Sequence, residues 1–308
     1  MQELLALRVK QLWAYFVTQD FTFWATCAYL VVEYVRPQQL IPALSGAPLG
    51  QIVVGLALVA RIFSGKFFTF RGPASRLLMV FTGVILASSL TAFNPSDSVD
   101  AWRLWFSWVF IYFLIASVVN TKERFLIFIL VWMGCHYYMS QGGARQLAGR
   151  GFAFEQYGVR GAPGWFENSG EFGIAMCMFF PIAWHFYLGT RRYLNKTRMA
   201  LVLGMPVTAG LSILGSSSRG ALLGLAAVAL WSLLLTRHRV RAIIGIAVLG
   251  CAMWLLMPPE FTQRFSNVGD DYTSQTRITF WKAGLAMARA NPVLGIGYGN
   301  WLSYYDQF

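Results

Sequence analysis

Charge is scarce in this 308-residue chain. Asp, Glu, Lys and Arg together fill 12% of the positions, about half the share usual in a soluble domain. With 56% hydrophobic residues, no polar shell can cover the chain in water, which excludes a soluble globular protein. Cysteine is also sparse. Cys27, Cys135, Cys177 and Cys251 show no CxxC spacing, so they read as small apolar fillers, not as a disulfide framework or a metal site. The three histidines, His136, His185 and His238, are isolated from one another and from the cysteines. Each reads as interfacial rather than catalytic, and no metal or cofactor is expected. There is no GxxxxGKS/T loop, no HExxH, and no GxGxxG set after a strand pattern. Internal repeats and low-complexity tracts are missing as well. Nothing at the start has the form of a cleaved signal peptide: Arg8 and Lys10 precede an apolar stretch without a small-residue cleavage site.

What the chain does have is apolar blocks. Lipid offers no partner to backbone amides, so a crossing helix needs roughly 20 mostly apolar residues. Nine spans are expected, at 17–35, 49–62, 77–92, 102–119, 124–141, 172–190, 199–215, 219–236 and 241–257. The fold class is therefore all-α: a polytopic integral membrane protein read as one transmembrane domain over 1–308. Its parts are N-terminal helices to 141, an exported loop at 142–171, core helices at 172–257, and the start of a large exported segment at 258–308.

The net charge of +12 would point to nucleic acid in a soluble protein, but here it reports topology. Connections on the side of the N-terminus hold fifteen basic residues against three acidic ones, and the other side is balanced at ten of each. Positive-inside bias then puts the N-terminus in the cytoplasm and 36–48, 93–101, 142–171 and 258–308 outside. Within the last segment, 275–290 has apolar residues at Ile278, Trp281, Leu285 and Met287, which suits a helix lying at the interface. Pro292 and GIGYGNW (295–301) then end that helix and open a flexible turn. The chain stops at Phe308 inside a polar segment and reads as a fragment of a longer protein.

Exported arginines are the chemistry worth weighing. Arg145, Arg150 and Arg160 fall in the first long loop, Arg219 heads a span in SSSRG, and Arg264 and Arg277 lie in the second exported segment. An arginine at a span start is a functional candidate, and guanidinium groups match phosphate oxygens two at a time. Ser218, with its neighbours Ser216, Ser217 and Gly220, adds small donors at a helix N-terminus, which favours anions. Plainer roles stand beside these: Arg219 as an interfacial anchor, Arg277 as part of a helix cap, Arg264 as a solvated partner of Asp270 and Asp271. Among the carboxylates, Glu171 in WFENSGEFG leads into a span; Glu167, four residues before it, is expected on the same helix face, with the Asn168 amide beside them. Glu171 suits orienting a sugar hydroxyl or transferring a proton, and equally suits capping the helix with favourable charge.

Three segments, GWFENSGEFGIAMCMFFPIAW (164–184), GSSSRGALLG (215–224) and SQTRITFWKAGLAMARANPVLGIGYGNW (274–301), resemble those of the O-antigen ligase and polymerase superfamily. The early EYVRPQQLIPAL (33–44) is similar to the start of the O-glycosylation ligases associated with exosortase systems. The resemblance implies a metal-independent, multi-pass glycosyltransferase of the bacterial inner membrane. Its donor would be an undecaprenyl-diphosphate-linked glycan and its acceptor a glycolipid or protein hydroxyl, among membrane lipids and without nucleic acid. It assigns Arg219 and Arg277 to the diphosphate, with Arg160 and Arg264 as weaker candidates. One departure stands out: the family's proposed base, a histidine late in the large exported segment, has no counterpart after His238. Three other functions remain open: a lipid-linked polysaccharide polymerase, a transporter for lipid-linked sugars, and a non-catalytic membrane scaffold.

Overall fold

The computed structural model describes residues 9–66, 68, 72–153, 158–236, 239, 240, 243–245, 247, 251 and 272–305. Among these residues all regular structure is helical, and the chain divides into two compact units, Met1–Gly55 with Thr121–Thr262, and Leu56–Asn120 with Gln263–Phe308.

Unit 1 holds α1 (Val9–Val17), α2 (Phe21–Tyr34), the first half of α3 (Leu49–Phe63), α6 (Lys122–Gly149), α7 (Ser169–Thr190), α8 (Lys196–Gly215) and α9 (Arg219–Leu235). Short polar residues set where these helices begin. Asp20 Oδ1 accepts from Phe23 N at 3.0 Å, Thr121 Oγ1 from Arg124 N at 3.2 Å, and Asn195 Oδ1 from Arg198 N at 3.0 Å. Each cap satisfies an amide that the helix itself leaves without an acceptor. α8 packs on both α6 and α7, α9 packs on α7, and α2 packs on α6. Their shared core includes Met133, Phe172, Met176, Phe179, Ala209 and Ile213.

Small residues let these backbones close up, as lipid-embedded helices need. A Cβ on Gly143 would meet Ser212 Oγ and the Phe172 ring; one on Gly173 would meet Ala221 and Ser216. Hydroxyls stitch the same contacts, Ser212 Oγ donating to Ser140 O at 2.9 Å and Ser140 Oγ lying 2.8 Å from Thr208 Oγ1.

Unit 2 holds the rest of α3, α4 (Pro73–Leu90), α5 (Pro95–Val118), α10 (Tyr272–Ala290) and α11 (Trp301–Tyr305). α4 packs on α5, with the indoles of Trp102 and Trp105 donating to Thr82 O and Thr82 Oγ1, each at 3.3 Å. Buried Arg61 donates to Ser117 O at 3.4 Å.

Among the described residues four helices, α4, α5, α7 and α8, are long and apolar enough to cross a bilayer, and the chain is a multi-pass helical membrane protein. This corrects the expectation of nine spans. The segments at 17–35, 49–62 and 219–236 fall on α2, α3 and α9, which have 14, 15 and 17 residues. At 1.5 Å per residue these reach about 21 to 26 Å, short of the roughly 30 Å hydrocarbon layer. Apolar content alone carried the first window through the Asp20 cap that starts α2, while the other two windows match helices that are themselves too short to cross. The segment 124–141 lies within the 28-residue α6, whose second half carries His136, Gln141, Arg145 and Gln146. That helix also takes up 142–149, where a loop was expected. The segment at 241–257 lies almost wholly outside the described residues.

Candidate functional site

The helix ends of unit 1 gather by charge and by hydrogen bond. At one end the Arg124 guanidinium meets Asp20 at 3.0 Å and Gln19 at 2.8 Å. At the other end α2, α6, α7, α8 and α9 bring together residues 33–39, 138–146, 158–172 and 213–221. Val159 N donates to Gly215 O at 2.8 Å, and Gly158 lies so close to the Ser216 backbone that no side chain fits there. Gln146 holds the next residue from both sides, its Nε2 donating to Arg160 O at 2.9 Å and its Oε1 accepting from Arg160 N at 3.3 Å. The segment carrying Arg160 is thereby fixed against α6 and against the turn that leads to Arg219.

That turn is built from the serines. Ser216 Oγ donates to Ile213 O at 2.7 Å, Ser217 is in the left-handed region at φ 49°, and Ser218 Oγ caps α9 by accepting from Ala221 N at 3.3 Å. Arg219 is the first residue of α9 and is half-buried. Asn168 plays the same capping part for α7, accepting from Gly170 N at 2.8 Å, and a Cβ on Gly170 would lie 3.3 Å from Ser218 Oγ. Two helix N-termini therefore meet at one place, and their partial positive charges add there. Exposed Glu171 sits in the first turn of α7. Glu167 lies before the Asn168 cap, outside the helix, so the expected shared face with Glu171 is not formed; its Oε1 accepts from Gly164 N at 2.6 Å.

A cleft of about 280 Å³ opens at the same end, walled by Arg36, Arg145, Arg160, Gln39, Tyr138 and Pro163 among others. Arg36 is the unexpected member. Its backbone is left-handed (φ 54°, ψ 61°) directly before Pro37, a conformation that costs an arginine about 1–2 kcal/mol. Its Nε donates to Glu33 O at 3.4 Å, and its guanidinium fills the space beside Gly164. The Glu33 carboxylate is taken by the Trp165 indole N–H. The sequence held one signal for this site: an arginine followed by proline inside the family-like segment EYVRPQQL. Which side chains share a cleft is not written in their spacing.

The other expected residues lie elsewhere. Arg277 is exposed on α10 in unit 2, and Arg264 is outside the described residues. Of the apolar residues marked on α10, Met287 is buried, and Ile278, Trp281 and Leu285 are exposed along one stripe. The GIGYGNW run forms a pinned turn where a flexible one was expected. Buried Asn300 accepts from Asn94 N at 2.6 Å and donates to Asn94 O and Ser98 Oγ, each at 3.0 Å. Gly295, Gly297 and Gly299 take φ of 68°, 98° and 78°, which no branched side chain adopts without strain. His136, expected at the interface, is buried in mid-helix against Tyr34, Trp132 and Phe179.

No curated protein and no solved structure matches the chain. Residues 204–308 match the O-antigen ligase family, which covers the α8–α9 turn with Arg219 and the whole 272–305 segment. Residues 1–192, more than half of the chain, match the family of unknown function DUF5935, and the chain belongs to that family.

Proposed function

We propose that this protein moves an oligosaccharide or polysaccharide from an undecaprenyl-diphosphate carrier to a lipid or protein hydroxyl at the outer face of the bacterial inner membrane. The observation that carries the proposal is the Val159–Gly215 backbone bond, beside a Gly170 so near Ser218 that an added Cβ would lie 3.3 Å from its Oγ. These bring Arg160, Asn168 and Glu171 to the same end of unit 1 as Ser218 and Arg219. The match of residues 204–308 to the O-antigen ligase family supplies the reaction class.

In such a transfer the bond between the anomeric carbon and the diphosphate oxygen breaks, and its electron pair stays with the diphosphate. The acceptor oxygen bonds to the anomeric carbon and passes its proton to solvent water. Arg219, set at the N-terminus of α9, places a guanidinium and a helix dipole where that negative charge grows. Asn168 and Ser218 each cap the start of their own helix and leave the remaining N-terminal amides of α7 and α9 available to an anion. Glu171, exposed beside them, orients the acceptor hydroxyl. Arg160 supplies further positive charge from the 158–160 segment. The family resemblance gives the same role to Arg277, in unit 2, and more weakly to Arg264.

The test is transfer from lipid-linked donor in proteoliposomes. Arg219→Ala should lower the rate 10²- to 10³-fold, the range for losing one donor to a developing oxyanion, with unchanged thermal unfolding. Arg219→Lys should recover little, since an ammonium lacks the two-pronged geometry. Wild-type rates from folded R219A protein would sink the assignment. Acceptance of a second lipid-linked glycan in place of a lipid or protein hydroxyl would make the protein a polymerase.

A further inference from the structure

The cleft at this end of unit 1 holds two arginines, Arg36 and Arg145, that the transfer chemistry does not use, together with Arg160, which it does. We infer that Arg36 and Arg145, with Arg160, form a second oxyanion site that binds a phosphate or diphosphate group. Arg219 is not among the residues that line this cleft, whereas Arg160 is.

Four observations carry the inference. First, no carboxylate lines the cleft among the described residues. The two nearest in sequence are engaged by neutral donors: Glu33 accepts from the Trp165 indole, and Glu167 from Gly164 N. Three guanidinium groups thus share one hollow without a neutralising partner among the described residues, an arrangement that an anion stabilises. Second, the backbone is organised around it. Arg36 is held in a left-handed conformation with its head against Gly164, and Gln146 clamps the Arg160 backbone on both sides. Strain of this kind persists where the surroundings impose it, and it gathers at ligand sites. Third, about 280 Å³ is headgroup-sized, the low end of the range for small-molecule pockets. Fourth, Val35, Leu40, Tyr138 and Met139 give the same hollow an apolar wall, which suits a phosphate carried on a lipid chain. A free diphosphate, the kind of anion that glycosyl transfer from a diphosphate carrier leaves behind once its lipid is removed, has the same headgroup chemistry. Assigning the phosphate to a lipid rests on the function proposed above; the site itself does not.

The experiment uses the whole chain in phosphatidylcholine nanodiscs. Two probes separate the sources: inorganic diphosphate added to the buffer, and a long-chain prenyl diphosphate built into the disc. The expected result is saturable binding of the prenyl diphosphate, displaced by inorganic diphosphate and weakened at least tenfold in Arg145→Gln and in Arg36→Asn. Asparagine tolerates the left-handed backbone, so R36N removes the charge without adding strain, and Arg36→Lys should keep part of the affinity. Binding of inorganic diphosphate with no added affinity for the prenyl form supports the site and overturns the lipid source. Equal affinity in wild type and R36N/R145Q/R160Q overturns the site. R219A separates the two claims. Lost transfer with intact diphosphate affinity at the cleft is the joint prediction, and normal transfer by R219A beside weakened binding in R36N would overturn the Arg219 clamp while leaving the cleft standing.

Discussion

Replacing Asn300 with alanine should loosen unit 2, by an amount that follows from its contacts. The side chain is fully buried and makes three hydrogen bonds: one accepted from Asn94 N at 2.6 Å, and one each donated to Asn94 O and Ser98 Oγ at 3.0 Å. Alanine removes all three and leaves the Asn94 amide and carbonyl facing a void. At about 1 kcal/mol per net hydrogen bond the loss is about 3 kcal/mol. A shift of about 2–4 °C per kcal/mol then lowers the unfolding midpoint by about 6–12 °C. Asn300→Asp sharpens the test, because the new carboxylate keeps the bond from Asn94 N but turns an oxygen toward Asn94 O; its loss should be at least as large. The assay is thermal unfolding in detergent at one fixed scan rate, followed by tryptophan fluorescence. An N300A midpoint within about 1 °C of wild type would refute the structural role, since that leaves at most about 0.5 kcal/mol of the loss of about 3 kcal/mol.

Other predictions follow from other contacts. Gly173→Val drives a branched side chain into Ala221 and Ser216 where α7 meets α9 and should destabilise unit 1 by about 1–3 kcal/mol, read as a lower unfolding midpoint. Gly158→Ala pushes a Cβ against the Ser216 backbone and should free the 158–160 segment, seen as new protease cleavage near Arg160 while the helices remain intact. Cys27, Cys135 and Cys177 are buried and Cys251 is exposed, so a Cys251→Ser background suits thiol labelling. Cysteines placed at Gln39 and Ala162 should then both react with an impermeant maleimide from outside the cell, and labelling only after lysis would reverse the topology.

The helical membrane character was plain from composition, because too little charge is available to cover so many apolar residues. Of the caps, Ser218 was read at a helix N-terminus, whereas Asp20 and Asn168, which also start helices, were not. Span count was not legible, because the apolar window at 17–35 ran through the Asp20 cap that starts α2, and because apolar content does not show that α2, α3 and α9 stop short of the bilayer thickness. Charge bias correctly grouped the ends of α2 and α6, with Asp20 beside Arg124 at one end and Arg36 sharing a cleft with Arg145 at the other. The cleft itself was hidden because Arg36 lies more than one hundred residues from Arg145 and Arg160. Their meeting depends on how α2 packs on α6 and how Val159 pairs with Gly215. Glycines in GIGYGNW suggested freedom, yet each positive φ there lets the chain turn while Asn300 fastens it. Composition gives a glycine's range, and only the neighbours say which conformation is held.

The most direct test of the central claim, that arginine at the head of α9 holds the donor's diphosphate, is equilibrium binding of a radiolabelled undecaprenyl-diphosphate-linked glycan to the protein in proteoliposomes. A charge-assisted contact is worth about 1.5–3 kcal/mol, so with the cleft silenced by Arg36→Asn and Arg145→Gln the protein should bind at least tenfold more tightly than the same, equally stable variant that also carries Arg219→Ala. It should also bind the diphosphate-linked glycan far better than the same polyprenol without diphosphate. Equal affinity with and without Arg219 in that background, or equal affinity for carrier with and without diphosphate, would contradict the diphosphate role of Arg219.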